Sequence, residues 1–217
     1  MAVNKEKYRE LSAALAGRAT LVAVSKTRPV AEILELYEAG HRDFGENYVQ
    51  ELLEKQPVLP ADIRWHFIGH LQSNKVKSIA PFIHLIHSVD SLSLLREIDK
   101  QSVRCNKTIN CLLQVHIAEE DTKYGFSEEE VLALELPHPG ASLVCGLMGM
   151  ATFTGDEGKI RAEFKKLNRL FRQLSATFAE PPVLSTGMSG DYQIALEEGS
   201  TMVRIGSLLF GERVYAS

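Results

Sequence analysis

Cysteine is scarce in this chain, and what there is does not pair: Cys105, Cys111 and Cys145 are odd in number and form no C-x-x-C motif. That pattern argues against both a disulfide framework and a thiolate zinc site, so a reduced, cytoplasmic protein is expected. A basic excess is also missing. With 24 lysines and arginines against 28 aspartates and glutamates, the net charge is -4 and leaves no electrostatic footprint for nucleic acid or an anionic membrane. No apolar run is long enough to span a bilayer. Residues Met1 to Glu10 hold Lys5, Lys7, Arg9 and two glutamates with no apolar segment behind them, so no secretory signal is expected. His66 and His70 are four apart, but they flank Gly69 and enclose no glutamate, so the metal-binding helix pattern fails and they read as strand and loop histidines. Interdomain linkers, low-complexity segments and sequence repeats are absent as well.

What remains is an ordinary globular composition, 45% hydrophobic and 24% charged over 217 residues, which suits one domain spanning 1–217. The apolar run Leu21, Val22, Ala23, Val24, stopped by Pro29, reads as a buried first strand with Lys26 just past its end. Before it, Tyr8, Leu11, Ala14 and Leu15 mark an amphipathic helix over Asn4 to Ala16. After it, strand-like and helix-like segments alternate. The remaining strands are expected at His41 to Phe44, Trp65 to Ile68, Leu85 to Val89, Thr108 to Ile117, Ser142 to Met148, from Val183, and at Met202 to Ile205. Ser127 and Glu130 form a capping box for a helix reaching Pro137, after a polar loop through Asp121 and Lys123. The long pattern Ile160, Phe164, Leu167, Phe171, Leu174, Phe178 is a helix ended by Pro181 and Pro182. Eight βα units imply a closed (β/α)8 TIM barrel with an extra N-terminal helix, an open doubly wound sheet being the alternative.

In such a barrel the loops after the strands converge on one face. They carry Lys26, Asn47, His70, Met148, Ser185 to Ser189, and Arg204 to Ser207. A lysine at a strand end is usually only solvated, and glycine and serine in loops are usually turn chemistry. Placement changes the odds. Ser185, Thr186 and Gly187 follow strand seven and Gly206 and Ser207 follow strand eight, where barrels build phosphate sites from backbone N–H groups, hydroxyls and a helix start. Strand alternation puts Arg204 on one face with Met202 and Gly206, where a guanidinium needs either a carboxylate in the barrel or a ligand acceptor. An amine, a phosphate cradle and an arginine together suit pyridoxal 5'-phosphate.

The segments V-A-V-S-K-T-R-P (Val22 to Pro29), F-G-E-N-Y-V-Q-E (Phe44 to Glu51), W-H-F-I-G-H-L-Q-S-N-K (Trp65 to Lys75), G-L-M-G-M-A (Gly146 to Ala151), L-S-T-G-M-S-G-D (Leu184 to Asp191) and R-I-G (Arg204 to Gly206) occur in order over nearly the whole chain. In them the chain resembles the pyridoxal-phosphate homeostasis proteins of the YggS/PROSC type. The resemblance implies a barrel like the alanine racemase N-terminal domain, with the cofactor carried as an internal aldimine on Lys26. It further implies that Ser185, Thr186, Gly206 and Ser207 hold the phosphate, that Arg204 faces the ring nitrogen, and that Asn47 and the Met148 loop line the ring. Thr186 departs from the family's S-M-G-M-S, and Thr152 stands where the family has proline. No catalytic residue or metal ligand is implied, and His70, Asn74 and Lys75 receive no role. Three function classes follow: a monomeric carrier that buffers the cofactor, hands it to apo-enzymes and so affects amino-acid and keto-acid pools; an enzyme, either an amino-acid racemase or a lysine-dependent aldolase; and an interaction protein with a vestigial site. The resemblance favours the first.

Overall fold

A computed structural model describes residues 3–119, 124–136 and 140–212. Eight parallel strands close on one another in sequence order: β1 (Thr20–Val24), β2 (Asp43–Glu46), β3 (Arg64–Phe67), β4 (Leu85–Val89), β5 (Asn110–Gln114), β6 (Leu143–Met148), β7 (Val183–Ser185) and β8 (Met202–Ile205). β8 pairs with β1 through Thr20↔Met202 to Ala23↔Ile205, which closes the barrel. The expected (β/α)8 architecture is therefore what the chain adopts.

The outward residues of the strands, among them Leu21, Ala23, Phe44, Trp65, Phe67, Ile86, Leu113, Leu147, Val203 and Ile205, pack under the helices as the main hydrophobic core. α1 (Lys5–Leu15) is the extra helix, capped by the Asn4 side chain and burying Leu11 and Leu15. α2 (Val30–Glu38) follows Pro29, and α3 (Val49–Lys55) runs into a 3-10 turn, Gln56–Val58, that takes in Pro57. α4 (Val76–Ile79), α5 (Leu92–Cys105), α6 (Glu128–Leu132), α7 (Glu157–Leu174), α8 (Tyr192–Glu197) and α9 (Ser207–Phe210) complete the layer. The Ser127–Glu130 capping box is formed in both directions.

The barrel interior has two kinds of wall. Val22, Leu85, Leu112, Met148 and Met202 form a separate small apolar cluster inside it. Asp43, His66, His87, Ser185 and Arg204 are buried as well and supply a polar wall.

Some boundaries differ from the sequence reading. β2 begins two residues later than expected and includes Gly45, where a Cβ would press on Val22 at 3.0 Å and Ile68 at 3.2 Å. A glycine in a strand marks this kind of close approach. β5 is shorter than expected, and Val115 instead bridges to Phe126. α7 ends at Leu174 rather than running to Phe178, since the hydroxyls of Ser175 and Thr177 donate back to the carbonyls of Arg172 and Leu174 within a closing 3-10 turn. α6 stops at Leu132; Pro137, Asp121 and Lys123 lie outside the described residues.

Candidate functional site

At the C-terminal ends of the strands lies a cavity of about 510 Å3, within the size range of small-molecule sites. Its wall takes Lys26 and Arg28 from the loop after β1, Asn47 after β2, and Met150 to Thr154 after β6. Met188 to Asp191 follow β7, and Arg204, Gly206 and Ser207 come from β8 and α9.

Lys26 is half-buried in a turn whose next residue, Thr27, has a left-handed backbone with φ 62°. A β-branched residue there is strained, and such strain is held only where the surroundings over-determine it. Here they do. Ser25 donates its hydroxyl to Glu46 Oε1 at 2.6 Å, and the Thr27 amide donates to Glu51 Oε1 at 2.5 Å. Lys55 donates to the Ser25 carbonyl, Glu46 and Glu51 at 2.8, 2.8 and 2.5 Å. Burial raises the Glu46 pKa, and Lys55 partly offsets that.

Asn47 sits where the backbone of Gly69 approaches so closely that a Cβ would fall 2.3 Å from the Asn47 carbonyl oxygen. Its side-chain Oδ1 is buried and accepts no hydrogen bond from the described residues. An orphaned buried acceptor on a cavity wall calls for a ligand donor or ordered water.

Arg204 is only 4% exposed. Of the two partner classes open from sequence, a carboxylate is not what it meets: it donates to the carbonyl and hydroxyl of Ser185 at 2.8 and 2.7 Å and to the Gly149 carbonyl at 3.1 Å. Burial pulls its pKa down to about 10, Asp191 opposing, so it remains a cation at neutral pH.

The β7 and β8 loops are joined by a hydrogen bond from the Gly206 amide to Ser189 Oγ at 3.3 Å. Gly187 turns the first of these loops with φ 89°, where a Cβ would strike Ala195 at 2.6 Å. Asp191 fixes the loop by accepting from the Met188 amide at 2.5 Å.

The cavity thus brings together five of the residues expected from sequence: Lys26, Asn47, Arg204, Gly206 and Ser207. Met148, Ser185 and Thr186 are buried off its wall. Met148 points into the barrel interior, and Met150, in the loop beyond the end of β6 and packed against the same cluster, takes the wall position. Ser185 reaches the cavity only through Arg204. Sequence reasoning did not single out Arg28 or Asp191, nor Ser189 as a wall residue, although the motifs it quoted contain all three. Arg28 is held by the Gly211 carbonyl and lies over the Phe210 ring at 5.8 Å. His70 stands outside this cavity, paired with Asp90 at 2.9 Å and stacked on Tyr124.

Among the described residues, one group could gather a metal ion: Asp43, His66 and His84. Arg64 already donates to both Asp43 oxygens, which makes that group an ion pair rather than a ligand set.

Residues 4–214 match the family model for the alanine racemase N-terminal domain. The pyridoxal phosphate homeostasis protein of Aquifex aeolicus is 42% identical over 204 residues, 91% of this chain and 88% of its own. The chain belongs to the pyridoxal phosphate homeostasis protein family. The mouse member is 39% identical over 213 residues, 90% of this chain and 77% of its own. PipY of Synechococcus elongatus, solved both without and with PLP bound, superposes on this family member with TM-scores of 0.89 and 0.86 at 34% identity, covering 95% of this chain and 99% of PipY. Alanine racemase of Bartonella henselae shares the fold at a TM-score of 0.71 and 18% identity, with 94% of this chain matched to 57% of the racemase.

Proposed function

We propose that this chain binds pyridoxal 5'-phosphate through Lys26 and serves its homeostasis, limiting the free aldehyde and releasing the cofactor to apo-enzymes. The observation that carries this reading is the convergence on one cavity of an amine, a buried guanidinium, an unsatisfied amide oxygen and the linked Ser189 and Gly206 loops. The PLP-bound structure of PipY supports it.

When bound, pyridoxal phosphate supplies an aldehyde that condenses with amines and a ring that withdraws electrons. Lys26 provides the amine. Ser189, Gly190, Gly206 and Ser207 would hold the phosphate with hydroxyls and backbone N–H groups. Arg204 would donate to the ring nitrogen, and as a permanent cation it opposes protonation there, which keeps electron withdrawal weak. Asn47 would gain the partner it lacks, with Met150 and Ala151 packing beside the ring.

Carriage rather than turnover also fits the tyrosines. Tyr48 and Tyr124, the nearest substitutes for a second acid/base, are 57% and 58% exposed, and neither lines the cavity. No helix among the described residues is long and apolar enough to cross a membrane. We place the protein in the reducing cytoplasm as a monomer, in keeping with its free cysteines.

The deciding experiment is the absorption spectrum of protein loaded with pyridoxal phosphate, before and after borohydride, followed by peptide mapping. The pyridoxyl group is expected on the Lys26 peptide, and Lys26→Ala should be folded and colourless. A label on another lysine refutes the assignment. Proton exchange at Cα of amino acids at ordinary enzymatic rates would refute the carrier reading.

A further inference from the structure

From the cavity to the opposite end of the barrel, five buried side chains touch in sequence. Arg204 Nη1 donates to Ser185 Oγ at 2.7 Å, and Ser185 Oγ lies 3.0 Å from His87 Nδ1. His87 Nε2 lies 2.9 Å from His66 Nδ1, and His66 Nε2 lies 3.1 Å from Asp43 Oδ1. Both imidazoles and Ser185 are 0% exposed.

The two ends of this chain are chemically fixed. A guanidinium can only donate, and an ionised carboxylate can only accept. Burial alone would raise the Asp43 carboxyl, but hydrogen bonds from Arg64 and His66 outweigh it and hold it well below the usual carboxylate range. A neutral imidazole has one donor and one acceptor, so a single assignment satisfies every link. His66 carries its proton on Nε2 toward Asp43, His87 carries its own on Nε2 toward His66, and the Ser185 hydroxyl donates to His87 Nδ1. That leaves the Ser185 oxygen to accept from Arg204. An extra proton on His66 would face the N–H of His87 and reverse both links, forcing the Ser185 proton to seek another acceptor.

We propose that His66 and His87 are positioning residues for Arg204, setting with Asp43 the direction of a hydrogen-bond chain that turns the Ser185 oxygen to the guanidinium and so aims it into the cavity. The role assigned to Arg204 at the ring nitrogen rests on the functional reading above; the direction of the chain does not. The other titratable and charged groups facing these imidazoles are His41 and Arg64 beside Asp43, and His84 next to His66. Burial first, and then His66 and Arg204, hold His87 well below the ordinary histidine range, consistent with a neutral ring.

The test has two arms. On the protein without cofactor, 15N-resolved NMR of the imidazoles is expected to place one proton on each of His66 and His87, at Nε2 in both rings. On the loaded protein, Ser185→Ala and His87→Gln are each expected to raise the pH midpoint of the bound cofactor's absorption by about one unit, a tenfold change in proton affinity, because Arg204 donates less firmly. His87→Gln keeps a donor and an acceptor but no longer fixes which of them faces Ser185, while Ser185→Ala is a small change in a packed site, so at least one variant remains measurable. A proton on Nδ1 of either ring overturns the proposal, as do variants that lose thermal stability with the midpoint unmoved. A parent protein that binds no pyridoxal phosphate refutes the functional reading instead, and the NMR arm still decides the chain.

Discussion

The ammonium of Lys55 donates at 2.8 Å to the main-chain carbonyl of Ser25, the residue before Lys26. It also pairs with Glu46 and Glu51, whose oxygens take the Ser25 hydroxyl and the Thr27 amide. The strained turn that presents Lys26 is therefore held from α3, across the loop.

Removing that ammonium leaves Glu46 buried with its charge uncompensated. Lys55→Met should cost about 3–5 kcal/mol in urea unfolding, and adding Glu46→Gln should recover most of it. The pH dependence follows from the raised pKa of Glu46: its contribution is present below the ordinary carboxylate pKa and is lost as pH rises through the higher folded-state value. Lys55→Met should steepen that loss. A double variant no more stable than the single one would show that the pair is not coupled.

Acid sensitivity should come largely from histidines kept neutral. Burial, partly offset by the hydrogen bond with the Asp43 carbonyl, lowers the pKa of the buried His41 to about 4, and partial burial with His66 beside it moves the more exposed His84 in the same direction. A depressed histidine means that the unfolded chain binds more protons. Stability is then complete above about pH 6.5 and declines as pH falls toward about 4, by roughly 1.4 kcal/mol per unit from a fully buried group. His41→Gln should flatten the slope of unfolding free energy against pH in that window. An unchanged slope would assign the acid sensitivity elsewhere.

Gly69→Ala should disturb Asn47 first. The added Cβ would meet the Asn47 carbonyl, Cα and carbonyl carbon at 2.3, 2.7 and 2.9 Å, all of them backbone atoms. An overpacking cost of about 1–3 kcal/mol is expected, with weaker retention of pyridoxal phosphate in equilibrium dialysis. Full stability and full retention together would mean that Asn47 does not depend on this contact.

Arg204→Gln should keep some pyridoxal phosphate bound but release it faster, measured by transfer to an apo-enzyme in excess. Arg204→Glu, where it folds, should raise adventitious transamination, because a carboxylate favours a protonated ring nitrogen. Equal release and equal side-reaction rates in both variants would reduce Arg204 to a structural donor to Ser185 and Gly149.

The barrel was legible because hydrophobic runs and breakers recur eight times, and β4 and β8 fall on the expected residues. Lys26 and Arg204 were legible for a simpler reason: one lies beyond the end of an apolar strand, and the other is a charge inside one. Met148 and Ser185 are buried off the cavity wall, a placement the sequence does not carry because it does not say how far a strand rises before its inward residue reaches the mouth. The chain through His66 and His87 was illegible, since the contact between His87 and Ser185 spans 98 residues and no local pattern encodes it.

The mixed interior makes mutational tolerance uneven from one inward residue to the next. In the Val22, Leu85, Leu112, Met148 and Met202 wall, volume is the main constraint, and volume-conserving exchanges usually cost less than about 1.5 kcal/mol, so many sequences can occupy it. Along the polar wall each residue constrains its neighbour's proton, and a lone exchange strands a buried donor or acceptor. Drift in this family should therefore be gradual among the apolar interior residues, whereas along the polar chain it should require paired changes.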